Sequence, residues 1–294
     1  MHAPAVYQQS DHSHQSATMS QATITALVNE FQALAERIAT AAETESPRMA
    51  KRVRTALEQV SKEIAATATR LDPIRKPSSI FDPADPATAG RIIALTMVAQ
   101  SRHPLAKIPK FYGAGIYAIY YNGKFPAYQT LSQTEHPLYV GKADPSNPRA
   151  TNAQEQGDKL STRLNEHAKA IKKAASTLVI DDFDCRFLVV QSGFQTAAEN
   201  YLIDFFKPIW NSETKICFGL GKHGDSASTR GNKRSPWDTL HPGRDWADAT
   251  KSDQKSTEVI EKHIASHLLG NPPSRSVEEI FKKFLHDMQQ LRIE

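Results

Sequence analysis

The sequence predicts an α+β protein with a helical extension ahead of a mixed core and more helix behind it. Three observations predict this. Apolar residues recur at three- and four-residue steps from Ile24 to Leu71, the period of one helical face. Beyond Phe111 the texture turns to β, with the short β-branched and aromatic runs GIYAIYY, PLYVG and CRFLVV. Between and after these runs, LSTRLNEHAKAIKKAA and TAAENYLIDFF carry helical patterns. A helical hairpin followed by strand, strand, helix, strand, helix suits many α+β domains, so the order alone says little about function.

Residues 1–19 are rich in Ser, Gln and His and poor in large apolar groups, a composition expected to stay disordered. His2, His12 and His14 read there as part of a solvated tail. Residues 20–72 form the helical hairpin, a candidate oligomerisation element. Its first stripe is Ile24, Leu27, Phe31, Leu34 and Ile38, and its second is Met49, Val53, Leu57, Val60, Ile64 and Leu71. Ser46 and Pro47 between them make an N-cap and first-turn pair. Residues 73–110 are a proline-rich linker and a supporting helix, capped by Asp85 and running through Gln100. In the core, residues 111–214, Asn122-Gly123 is a tight-turn signal leading into a predicted strand KFPAYQTL. Residues 215–250 show no period and carry Gly, Ser, Lys and Arg. Residues 251–294 form a C-terminal helical tail, whose second helix starts at Ser276 with Glu279 completing a capping box.

Composition bounds the function classes. The 294 residues are 39% hydrophobic and 23% charged, ordinary for a soluble protein. No apolar run approaches the roughly 20 residues that span a bilayer, and no secretory signal opens the chain, so the expected location is the cytoplasm, with no membrane partner. Cys185 and Cys217 are too few for a disulfide framework or a zinc site and read as reduced. A net charge of +4 permits nucleic-acid binding without demonstrating it. Its distribution says more, because basic residues concentrate in 48–76 and again in 222–234.

The phrases GIY at 115–117 and YVG at 139–141, followed by LSTRLNEH, AENYLIDFFKPIWN and RGNKRSPWDTLHPGRDW, resemble the GIY-YIG nuclease superfamily. They are most similar to its type II restriction endonucleases, the group cutting CCGCGG. The resemblance covers about residues 111–214, with YVG in place of YIG. It implies a small, mostly antiparallel central sheet flanked by helices, and Mg²⁺-dependent hydrolysis of both strands of a GC-rich palindrome in double-stranded DNA. It also implies a bacterial or archaeal source, a homodimer or homotetramer, and a cognate DNA methyltransferase in the same system. A repair or homing-type nuclease and a catalytically inactive DNA-binding protein are the alternatives.

By the same resemblance Tyr117 is the general base or its proxy, and Tyr139 supports the nucleophile and phosphate. An isolated strand tyrosine is otherwise a core aromatic, and a phenol near pKa 10 needs help to act as a base. Arg163 and His167, four apart on one helix, lie side by side; Arg163 would stabilise charge on phosphorus, and His167 would accept or position the tyrosine's proton. Glu199 is the Mg²⁺ ligand, although Thr196-Ala-Ala-Glu199 also reads as a capping box. Asn211 would fix the phosphate or the base network, or simply end a helix. Lys142 is a candidate phosphate contact. Guanine edges favour Arg and Lys readers, which points to Lys222, Arg230, Asn232, Lys233, Arg234 and Arg244 as DNA-binding residues, with His223 and Ser235 as secondary candidates.

Overall fold

The computed structural model describes residues 21–42, 46–74, 80–221, 233–250 and 252–288. They fall into two compact units divided between residues 76 and 77. The first holds α1 (Gln21–Ala42) and α2 (Pro47–Leu71). Ser46 precedes α2 in extended conformation with Pro47 in the first turn, as the sequence predicts. No described side chain of either helix is buried.

The second unit begins with α3 (Pro86–Val98), capped by the Asp85 carboxylate, which accepts from the Thr88 N–H at 2.9 Å. The elements that follow are β1 (His103–Pro104), β2 (Gly115–Tyr121), β3 (Tyr139–Ala143), α4 (Ala153–Gln156), α5 (Lys159–Lys173), β4 (Phe183–Val189) and α6 (Gln195–Phe206). The C-terminal part adds β5 (Lys233–Arg234), α7 (Pro236–Leu240), α8 (Asp245–Asp248), β6 (Ser252–Asp253), α9 (Thr257–Gly270) and α10 (Val277–Met288). Four strands form an antiparallel sheet in the order β1-β4-β2-β3. No described helix is long and apolar enough to cross a membrane.

Both faces of the sheet are covered, which explains why every residue of β2 is buried. Tyr117, Ile119 and Tyr121 face one core with Leu160, Leu164 and Ile171 of α5. Ile116, Ala118 and Tyr120 face the other, with α3 and α6. The period-2 alternation of the strand is therefore present in space and invisible in composition.

One expectation needs correction. KFPAYQTL is not a strand: Pro126–Tyr128 is a short 3₁₀ turn, and β2 returns to β3 through residues 122–138. The sheet also has an edge strand, β1, that the sequence does not announce. The C-terminal helices follow the sheet as expected and pack on it: Ile260, Ile264 and Leu268 of α9 belong to the Tyr117 core and Ile280 and Phe284 of α10 to the other.

Candidate active site

The pairing of β2 with β3 sets Tyr117 opposite Gly141. A Cβ at 141 would lie 2.5 Å from the Tyr117 hydroxyl and 2.9 Å from the Tyr139 ring, so only glycine lets both rings use this space. The glycine of the first phrase has a different cause. A side chain at Gly115 would collide with the Leu188 carbonyl of β4.

The Tyr117 hydroxyl is 2.7 Å from His167 Nε2. The Tyr139 ring lies 6.0 Å from that of Tyr117 and 5.1 Å from that of His167, centroid to centroid. Burial raises the Tyr117 pKa well above 10; Tyr139 adds to this and the Arg163 guanidinium opposes it. Burial also raises Tyr139, again opposed by Arg163. At neutral pH both phenols are protonated, because a phenolate in this setting is desolvated. For Tyr117 to take a proton it has to release its own, and His167 Nε2 is at hydrogen-bond distance to receive it.

Arg163 stands at the mouth of this buried pair. Its Nη1 donates to Glu166 Oε2 at 2.9 Å, and its side chain is 30% exposed. Nη2 lies 3.5 Å from the Gly221 carbonyl. Beside it opens a cleft of about 220 Å³ whose walls include Arg163, His167, Lys169, Gly221 and Arg244. Sequence reasoning missed Glu166, although its i,i+3 spacing from Arg163 is the signal that could have found it.

Glu199 arrives from the opposite side of the sheet, on α6. The predicted capping box does not form: the N-cap is Phe194, without a side-chain bond, and Thr196 already lies inside the helix. The half-buried carboxyl is pushed up to about 7 by desolvation; Lys142 opposes this, while Glu213 and Asp144 add to it. A partly desolvated carboxylate with two further carboxylates near it suits a divalent cation, which displaces the proton and relieves the repulsion. Among the described residues no cluster of three or more metal-binding side chains forms a cage. Glu199 would thus be one ligand of an ion otherwise bound by water and phosphate. Glu213 and Asp144 carry no sequence signal.

Asn211 takes a role other than the expected one. Its Oδ1 accepts from the Val140 N–H at 3.0 Å and its Nδ2 donates to the Val140 carbonyl at 2.8 Å. The buried amide thus pairs with the free edge of β3, as a further strand would. It positions Tyr139 and Gly141, and the amide is already engaged on both sides. Lys142 Nζ lies 2.8 Å from both Asp144 oxygens, and Asp144 also accepts from Gln195 Nε2 at 3.1 Å.

Lys222, His223, Arg230 and Asn232 lie outside the described residues. Lys233 is exposed. Arg234 Nε lies 2.6 Å from Asp253 Oδ1, which joins β5 to β6. Ser235 is buried and caps α7. Arg244, expected among the base readers, is a correction. It is buried, ion-paired with Asp238 at 2.6 Å, and donates to the Gly219 and Leu220 carbonyls at 3.0 and 3.1 Å. Its guanidinium lies over the rings of Trp237 and Trp246. This arginine anchors the chain leading to Gly221 and does not present its donors to solvent.

The Eco29kI GIY-YIG domain family matches residues 109–268, more than half of the chain. The chain belongs to this family. As an Eco29kI-type restriction endonuclease it is a site-specific nuclease, and the GIY-YIG sheet with its flanking helices is the one described above. The match runs past the expected core end at 214 and into the last turn of α9, in keeping with the shared core of β2, α5, α7 and α9. No curated protein matches the chain.

Proposed function

We propose that this nuclease is a Mg²⁺-dependent type II enzyme that cuts both strands of a GC-rich palindrome, CCGCGG, within a bacterial or archaeal restriction-modification system. The observation that carries the proposal is the Tyr117–His167 hydrogen bond beside Arg163, with Glu199 reaching the same strand edge. Tyr117 takes a proton from the attacking water while its own proton passes to His167 Nε2, so no free phenolate is needed. Arg163 stabilises the charge that accumulates on the phosphoryl oxygens; its planar, permanently charged group suits that task. Tyr139 packs the nucleophile side, and Asn211 holds β3 in register. Mg²⁺ held by Glu199 would supply Lewis-acid stabilisation of the departing 3′ oxygen. Lys142 and Lys233 are proposed phosphate contacts, and the Lys222, Arg230, Asn232 and Arg234 group is proposed to read guanine edges.

A palindrome presents two equivalent scissile phosphates, so the active form is proposed to be at least a dimer. The exposed stripes of α1 and α2, with Phe31 45% and Leu57 43% accessible, are the proposed contribution of the first unit. A cognate methyltransferase would protect the host's own copies of the site.

The test is plasmid cleavage with Mg²⁺ followed by sequencing of the ends. Glu199→Ala should abolish cleavage while leaving site-specific binding in place, and Tyr117→Phe should slow it by about 10²–10⁴-fold. Wild-type turnover by Glu199→Ala would overturn the metal assignment, and near-normal turnover by Tyr117→Phe would return that residue to the core. Ends that share no GC-rich palindrome would overturn the specificity.

A further inference from the structure

The 25 residues of α2 carry six cations, Arg48, Lys51, Arg52, Arg54, Lys62 and Arg70, against Glu58 and Glu63. That leaves +4, the net charge of the entire chain, so the other residues together are neutral. The cations are also sorted by face. At about 100° per residue, Met49, Val53, Leu57, Val60 and Ile64 share one side, Arg48, Lys51 and Lys62 fall opposite, and Arg52, Arg54 and Arg70 flank. All six are exposed. Among the described residues the only salt bridge within α2 is Arg54–Glu58, at 2.8 Å, and no described carboxylate lies within ion-pair distance of Arg48, Lys51, Arg52 or Lys62. The family match begins at residue 109, so this helix is an addition to the shared nuclease domain.

We propose that the cationic face of α2 is a sequence-independent contact for the DNA backbone, binding phosphates outside the recognised base pairs. The proposal rests on the reading that the nuclease domain acts on double-stranded DNA. A polyanionic substrate meets a helix that carries +4, so this helix adds to the long-range attraction that brings the duplex in. Arg48 to Lys62 rise about 21 Å along the helix axis, enough to follow phosphates over about two-thirds of a 34 Å DNA turn. The apolar side of the same helix remains available for protein, so the two faces do not compete.

The experiment uses the full chain and the variant R48Q/K51Q/R52Q/K62Q, in which glutamine keeps the helix propensity close to that of the residues it replaces. Binding to a 30-base-pair duplex lacking the recognition site is measured without divalent metal, by anisotropy, from 50 to 300 mM KCl. The slope of log K against log salt should fall by about 3 to 4, close to 0.9 for each phosphate that is no longer neutralised. Affinity at 100 mM should drop at least tenfold, and R48K/R52K should bind like the parent. Both variants should cleave a short specific duplex at saturating concentration with an unchanged kcat, which separates this proposal from the nuclease reading itself. An unchanged slope would overturn the proposal. So would charge-dependent binding to vesicles containing phosphatidylserine together with indifference to the duplex, since that outcome makes α2 a membrane-surface helix.

Discussion

Helices α5 and α2 have almost the same design on paper and opposite fates in the structure. Each has an apolar stripe at helical spacing with cations on the other faces. In α5 the stripe is inside: Leu160, Leu164, Ala168 and Ile171 are buried, and the next positions around the helix place Arg163 and His167 beside Tyr117 and Tyr139. In α2 no residue is buried. The difference teaches that periodicity specifies a helix and a face, while the surface that covers the face comes from elsewhere in the fold or from another molecule.

The largest expected effect sharpens the comparison on the side of chemistry. Arg163→Lys should reduce cleavage by about 10²–10³-fold, because an ammonium cannot reproduce the planar fork at the phosphate, with thermal stability close to that of the parent. Arg70→Gln in α2 should leave single-turnover cleavage of a short duplex unchanged. Equal losses from the two would mean that the helices share one function. Stability gives the next contrast. Leu164→Ala, fully buried, should cost about 2–5 kcal/mol in urea unfolding, whereas Leu57→Ala, 43% exposed, should stay within about 1 kcal/mol. A Leu57→Ala cost as large as that of Leu164→Ala, growing with protein concentration, would break the contrast and identify a second copy as the missing cover.

Acid gives the smallest effect and separates the units. His241 and His136 are held by burial at about 3 and about 4, below the ordinary 6.5 of an unfolded chain. The unfolded state therefore binds protons first. The stability tied to these histidines is fully present above pH 6.5 and is lost as pH falls through about 4 for His136 and about 3 for His241. Glu199, raised to about 7, works in the opposite sense, one group against two. Residues 21–71 contain no histidine, and all three tryptophans lie beyond residue 200. Near-ultraviolet dichroism should thus fade between pH 6 and 4 while part of the far-ultraviolet helix signal persists. Simultaneous loss of both signals would tie the two units together.

Much of this is legible in the sequence because local pattern and tertiary context agree. GIYAIYY, PLYVG and the stripe of α5 announce their structure, and the spacing of Arg163 and His167 places two site residues side by side before any fold is known. Other features depend on partners distant in sequence. KFPAYQTL reads as a strand because it is rich in strand formers, yet Phe125, Tyr128 and Leu131 recur every third residue, and the latter two are buried where a turn needs them. β1 is two residues long and contains Pro104, too little for any propensity to register. Arg244 looks like a base reader from its basic surroundings. Its partners Asp238, Gly219 and Leu220 are brought around it by the fold, up to 25 residues away along the chain. Asn211 is recognisable as part of a motif, but its bond to the edge of β3 is a matter of strand order, which one sequence does not reveal.

The glycine facing Tyr117 makes this enzyme genetically fragile in one particular way. Almost every change in the first or second base of a glycine codon gives residue 141 a side chain, and that side chain occupies the space of the tyrosine hydroxyl. The sheet and its two cores can persist through such a change, since the obstruction is confined to two rings on one face. Single-base errors at this one codon should therefore disturb the Tyr117–Tyr139 pair while leaving a folded protein behind.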